Sequence, residues 1–224
     1  MFAFPPATLA FLRDLRDNNT RAWFDEHRAD YQAAYVEPAK EFVEAVAPLL
    51  RELAPAINAE PRMLGSIFRI NRDTRFSKDK RPYKDHLDFW FWEGERRAAT
   101  SGFFLRVAPS ELVLGVGAHG LQRDALERFR AAVADPRSGS ELARVAAELE
   151  EAGVEPQGER YKRSPPGYPT DGPAARFLLH DALYAHASEP AAVALDAARL
   201  IPTCDAHWTR MAPLHRWLAD YAGR

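Results

Sequence analysis

Three stretches between residues 87 and 117 place apolar side chains at every second position. A helix would scatter each of these sets around its axis, whereas a strand gathers each onto one face. Leu87, Phe89 and Phe91 share one face, with Asp88, Trp90 and Trp92 on the other. Phe103, Leu105 and Val107 alternate with Phe104 and Arg106, and Leu112, Leu114 and Val116 alternate with Val113, Gly115 and Gly117. Pro109-Ser110 separates the last two runs, a gap short enough for an antiparallel hairpin. Gly115 and Gly117 fall on one strand face, which points to a bulge or a close backbone approach. Ser66–Ile70 reads as a further short apolar strand.

Helical periods flank this region. Pro5-Pro6 precede Leu9, Leu12 and Leu15, with Phe11 beside them, and Asn18-Asn19 stops that helix. Thr20 suits an N-cap for a second helix through Trp23, Phe24, His27, Tyr31 and Tyr35. Pro38 fits the first turn of a third helix carrying Phe42, Val46, Leu49 and Leu50, which Pro48 should kink or shorten. Beyond the strands, Gln122–Ala134 and Glu141–Glu151 read as helices and 158–173 as a Gly/Pro-rich loop. Leu183–Ala187 reads as a short strand and Pro190–Leu200 as a helix broken at Pro202. A closing helix carries Trp208, Met211, Leu214, Leu218 and Tyr221. The order predicts an α+β fold, a central antiparallel sheet flanked by N-terminal and C-terminal helices. With 224 residues, the expectation is a single domain over 1–224. Its parts are helical 1–61, strands and a basic motif over 62–118, and a mostly helical 121–224.

One cysteine, Cys204, excludes an intrachain disulfide and a Cys-rich zinc site. The longest stretch without a charged side chain, Met1–Leu12, holds two prolines, lacks a basic start and is too short for a membrane span. The expectation is a soluble, cytoplasmic protein with no membrane association and no cofactor. Charge is uneven. Residues 1–61 carry 6 basic and 10 acidic side chains, 62–106 carry 11 and 6, and 107–224 carry 13 and 16. A basic centre thus sits in a chain of net charge −2.

The density lies in Phe68–Lys84, where 7 of 17 residues are basic and 2 acidic. Arg69, Arg72 and Arg75 recur every three residues, and Lys78, Lys80, Arg81 and Lys84 follow. Ser77 and Pro82 argue against one continuous helix, so a strand leaving into a long ordered loop is expected.

The run Arg69-Ile70-Asn71-Arg72-Asp73-Thr74-Arg75-Phe76-Ser77-Lys78-Asp79-Lys80-Arg81-Pro82-Tyr83-Lys84 resembles the widespread microbial family catalogued as domain of unknown function 2461. Supporting similarity comes from Leu12, Leu15, Asn18-Asn19 and Trp23-Phe24, from Gly115, Gly117 and Arg130, and from Lys162-Arg163-Ser164-Pro165-Pro166-Gly167-Tyr168. His180 departs from the pattern, standing where the resemblance implies a lysine. The resemblance covers nearly the whole chain and implies one compact domain. It implies no reaction.

Guanidinium groups offer planar donor forks suited to carboxylate or phosphate. One reading makes Arg69, Arg72, Arg75, Lys78, Lys80 and Lys84 an anion site, joined by Lys162 and Arg163, with Tyr83 stacking or donating its hydroxyl. Its ligand would be a small anion, phosphorylated ones included. The other reading is a scaffold or partner-binding protein in which Asp73, Asp79, Asp85 and Asp88 lock the motif as a salt-bridge network. Nucleic acid fits the basic segment, but the net charge and the core character of strand aromatics count against it. Catalysis would draw on Asp73, Asp79 or His86 as general base beside the arginines. His86 and Asp88 share a strand face, yet two ligands do not make a metal site, and none is expected. The turn Gly115–Gly120 lacks the Lys-Ser/Thr of a phosphate loop. Cys204 reads as a small buried hydrophobe despite its place near a helix start. His27, His186, His207 and His215 are expected on helix or strand surfaces. Sequence leaves open whether there is a reaction, and the oligomeric state.

Overall fold

The structure, a computed structural model, describes residues 1–96, 101–168 and 171–223. Of the loop expected over 158–173, residues 169 and 170 lie outside the described ones. Helices α1 (Pro6–Asp17) and α2 (Arg21–Glu26) come first, and the Thr20 hydroxyl accepts the Trp23 N–H at 3.3 Å to cap α2. Helix α3 (Arg28–Tyr31) passes through one π turn, Gln32–Val36, into α4 (Glu37–Leu53). Strands β1 (Ile57–Asn58), β2 (Leu87–Glu93), β3 (Gly102–Val107) and β4 (Glu111–Ala118) follow, then helices α5 (Arg123–Ala134) and α6 (Pro136–Glu151). Strand β5 (Gln157–Glu159), strand β6 (His180–Pro190) and helix α7 (Leu200–Tyr221) complete the chain. Among the described residues the strands form one six-stranded antiparallel sheet in the order β1-β2-β3-β4-β6-β5, and the fold is α+β. No described helix is long and apolar enough to cross a membrane.

The chain divides into two compact units. The first comprises Met1–Phe91, Phe104–Val113 and Ser188–Asp205, and the second Trp92–Phe103, Leu114–Ala187 and Ala206–Arg224. In the first, the alternation of β2 sends Leu87, Phe89 and Phe91 into the core. There Phe89 meets Phe42 of α4 at 4.8 Å between ring centroids, and Phe4 meets Phe42 at 5.3 Å. In a π turn the backbone bonds skip one residue further than in an α-helix, so carbonyls change partner. The buried Thr8 hydroxyl donates to one of them, Ala34 O, at 2.6 Å. In the second unit, Phe129 of α5 packs edge-on against Trp217 of α7, whose indole N–H donates to Ser138 O at 2.8 Å. Gly117 has φ of 127°, and a Cβ there would collide with the Leu183 carbonyl and the Tyr184 backbone. This is the close approach that its strand position suggested.

Several local expectations are corrected. Ser66–Ile70 is not a continuous strand. It pairs through single bridges, Ile67 with Phe89 and, further on, Asn71 with Tyr83. Pro48 does not shorten α4, which runs on to Leu53, because it sits on the exposed side, where water can serve the carbonyl that lost its donor. Helix α6 starts at Pro136, not Glu141. The Asp135 carboxylate accepts the N–H groups of Arg137 and Ser138, and this cap outweighs the weak helix preference of Ser138-Gly139-Ser140. Strand β6 runs well beyond Leu183–Ala187, and residues 191–195 form a 3₁₀ turn rather than a helix over 190–200. Pro202 lies in the first turn of α7, where a missing N–H leaves no bond unmade.

His215 is not on the surface. It is buried in the second unit, with Nδ1 3.0 Å from Ser101 Oγ and Nε2 3.2 Å from Glu93 Oε2. A carboxylate only accepts, so Nε2 carries the proton toward Glu93 and Nδ1 accepts from the Ser101 hydroxyl.

Two stability predictions follow from these buried groups. Thr8→Val keeps the shape but removes the bond to the Ala34 carbonyl, and should lower unfolding free energy by about 0.5–1.5 kcal/mol in urea titration with an unchanged slope. Burial pushes the His215 ring below its ordinary value of 6.5, against the pull of Glu93 and Asp220 and with the push of Arg216. The unfolded ring takes its proton first, so the stabilisation is complete above about pH 6.5 and is lost as pH falls. His215→Gln should remove up to about 1.4 kcal/mol per pH unit from that acid-side slope. An unchanged slope in urea titrations at a series of pH values would refute it.

Candidate functional site

The basic motif is an arm of the first unit, closed at its base by backbone pairing. Arg72 N–H donates to Pro82 O at 2.9 Å and Lys84 N–H to Ile70 O at 2.8 Å. Asn19, in the turn after α1, holds this base from the side. Its amide donates to Tyr83 O at 3.1 Å and its carbonyl accepts Tyr83 N–H at 3.0 Å, as a neighbouring strand would. Tyr83 is buried with its ring stacked on Phe24 at 4.2 Å, so the ring packs the core.

The tip is built from one device used twice. In Asp73-Thr74-Arg75 the carboxylate accepts the Arg75 backbone N–H at 3.2 Å and its guanidinium through Nε at 3.0 Å and Nη2 at 2.6 Å. In Asp79-Lys80-Arg81 the Arg81 N–H reaches Oδ1 at 3.0 Å, and Nη2 reaches Oδ2 at 2.8 Å. Asp turns of this kind form because the short side chain can bond the backbone two residues on. Cross-links join the two clips: Arg72 Nη1 donates to Asp79 Oδ2 at 2.6 Å, and Lys80 Nζ to Thr74 O at 2.9 Å. The side-chain and backbone donors of Arg75 hold the Asp73 carboxyl down at about 2. Those of Arg81, then Arg72, hold Asp79 well below the usual carboxylate range.

Where the arm joins β2, Asp88 gathers a second cluster. Its side chain is 14 % exposed. Lys84 Nζ lies at 2.9 Å, Arg106 Nε at 2.7 Å and His86 Nε2 at 3.3 Å. His86 Nδ1 also meets Asp85 Oδ1 at 3.1 Å. Burial alone would raise the Asp88 carboxyl, but bonds from His86 and Arg106, with the Lys84 charge, hold it well below its ordinary value. A general base works best with a pKa near the working pH. Asp73 and Asp79 are donor-saturated and stay ionised far below neutrality, which suits them to holding cations rather than to moving protons. Among the described residues, no group of three His, Cys, Asp or Glu side chains is arranged for a metal ion.

The sequence-derived cations therefore divide. Arg72, Arg75 and Lys84 are each engaged by a carboxylate, and so is Arg81. Arg69 and Lys78 are exposed and make no ion pair among the described residues, and the ammonium of Lys80 meets only the Thr74 carbonyl. Phe76, between Arg75 and Lys78, is 94 % exposed, with the Arg75 guanidinium 5.8 Å from its ring centroid. Lys162 and Arg163 belong to the second unit and are exposed there.

Sequence reading marked Arg130 and Tyr168 only as carriers of the family resemblance and did not bring together the groups that gather in that second unit: Glu127, Arg130, Tyr161 and Tyr168, and the buried set of Glu93, Ser101 and His215. The last three residue types occur in acyl-transfer sites. Ser101 is 3 % exposed, however, and a nucleophile needs open approach, so this set ties the ends of β2 and β3 to α7. Cys204 is buried in the first unit, and burial pushes its thiol far up, away from reactive thiolate character.

The model of the family described as conserved hypothetical protein (DUF2461) matches residues 7–217, and the chain belongs to that family. No curated protein and no solved structure matches it.

Proposed function

We propose that this family member binds an anionic ligand through its basic arm, with Arg69, Lys78 and Lys80 as the contacting cations. The observation that carries the reading is the division of labour in the arm. Its arginine–aspartate clips fix the tip, while the segment keeps seven bases against two acids. A loop already ordered loses little conformational freedom on binding, and the remaining cations supply the attraction. Arg72, Arg75 and Lys84 then hold the arm's shape, and Tyr83 anchors it in the core. The low pKa values of Asp73 and Asp79 favour binding over catalysis at this arm.

A second reading is favoured by the Asp88 cluster, where three basic groups converge on one carboxylate. In it the whole motif is a structural brace, and the arm docks a protein partner. Thermal melts against phosphate, sugar phosphates, nucleotides, carboxylates and short oligonucleotides separate the two. Anion binding predicts that one class raises the wild-type midpoint by mass action. Arg69→Ser/Lys78→Ser/Lys80→Ser should lose that rise while melting within a few degrees of wild type. Arg72→Ala should instead lower the melting midpoint itself, since it removes a bond that joins the two clips. If no class shifts the wild type and Arg72→Ala is merely less stable, the anion reading fails and the brace remains.

A further inference from the structure

Arg130 stands out in the second unit because its surroundings desolvate it while bonding it poorly. Its side chain is 13 % exposed. The face of Tyr161 covers the guanidinium, 5.5 Å from ring centroid to Cζ. Nη1 meets Glu127 Oε1, one turn back on α5, at 3.5 Å, the outer limit of a hydrogen bond. Nε is buried and has no partner among the described residues. Glu127 is 61 % exposed and divides itself between this contact and the Tyr168 hydroxyl, which donates to Oε2 at 3.3 Å. Such a mobile carboxylate gives a weak pair. A covered guanidinium with an idle donor is an expensive thing for a fold to keep, and planar oxyanions are what its fork matches.

The neighbouring chain is fixed in a way that brings more positive charge. Tyr161 N–H and Arg160 N–H both donate to Leu179 O at 2.9 Å. That pins the start of the Tyr161-Lys162-Arg163 segment, whose two cations follow the ring over Arg130 in the chain and are exposed. His180, the residue after Leu179, likewise has a buried Nδ1 with no partner among the described residues.

We infer that Arg130, with Lys162 and Arg163, forms a second anion site in this chain, taking a bidentate oxyanion, a phosphate monoester or a carboxylate. The anion replaces the long contact to Glu127, which turns to solvent. It reaches Nε as the Tyr161 ring, 37 % exposed, swings aside. The site does not depend on the basic arm of the first unit.

The test uses the full chain, with inorganic phosphate and malonate as probes at matched ionic strength. Binding is followed by calorimetry and by the Nε–H resonance of Arg130 in ¹⁵N spectra. One probe should bind saturably and displace that resonance, and the stronger of the two identifies the oxyanion. Arg130→Gln should weaken it at least tenfold and Lys162→Ser/Arg163→Ser several-fold, while Arg69→Ser/Lys78→Ser/Lys80→Ser leaves the Arg130 resonance shift intact. Absence of saturable binding by either probe, or full binding in Arg130→Gln, overturns the proposal. If Arg130→Gln does not fold, the Lys162/Arg163 pair decides: weakened binding upholds the site and wild-type binding overturns it. Binding lost only in the arm variant refutes this site and leaves the arm reading standing. Binding lost only in Arg130→Gln upholds this site and leaves the arm to be judged by its own panel of anions.

Discussion

The carboxylate of Asp88 organises the junction of the basic arm with the sheet in the first unit. A charge so far from water persists only if it is paired and bonded on several sides. Lys84, His86 and Arg106 meet that demand from three places: the end of the basic arm, the start of β2 and the neighbouring strand β3. The pairing thus fixes where the arm leaves the sheet. Removing one partner would leave a buried carboxylate less well compensated, so Lys84, His86 and Arg106 are held to their places more firmly than surface ion pairs of the same length. The tip beyond is organised by Asp73 and Asp79, which are shallower and depend on geometry rather than burial.

Cations in this protein thus serve two ends. Those facing internal carboxylates give shape, and those left over give potential. Arg72 and Lys78 are both basic residues of one loop, but the first is half of a 2.6 Å bond and the second faces solvent. In the second unit the balance differs, since Arg130 is covered by an aromatic ring and poorly bonded.

Much of the scaffold was legible from local pattern. Alternation over Leu87–Trp92, Phe103–Val107 and Leu112–Gly117 marked three strands, because a strand with one face in a core must alternate. Thr20, Pro38 and Gly117 were legible because each does something that few other residues can do at its backbone position. The errors share a different cause. Pro202 was read as a breaker and Pro48 as kinking or shortening its helix, but what a proline does depends on whether its missing N–H had an acceptor or could be replaced by water. His215 was placed outside because a lone histidine on a helix carries no mark of its partners. Glu93 and Ser101 lie more than a hundred residues upstream. The basic motif announced itself by composition, yet which of its cations are free was set by distances of a few ångströms that no spacing rule contains. Arg130 stood in the family pattern, but nothing in an ordinary amphipathic helix marked it as covered by a ring with an idle donor.

The two Asp-X-Arg clips have a consequence for the order in which the arm takes shape. Each closes a ring only two residues long, so the chain entropy lost in forming it is small and owes nothing to the sheet. The bend of the tip is therefore written into a dozen consecutive residues. The tip can bend before the sheet closes around its base, and the backbone pairing and Asn19 then aim it.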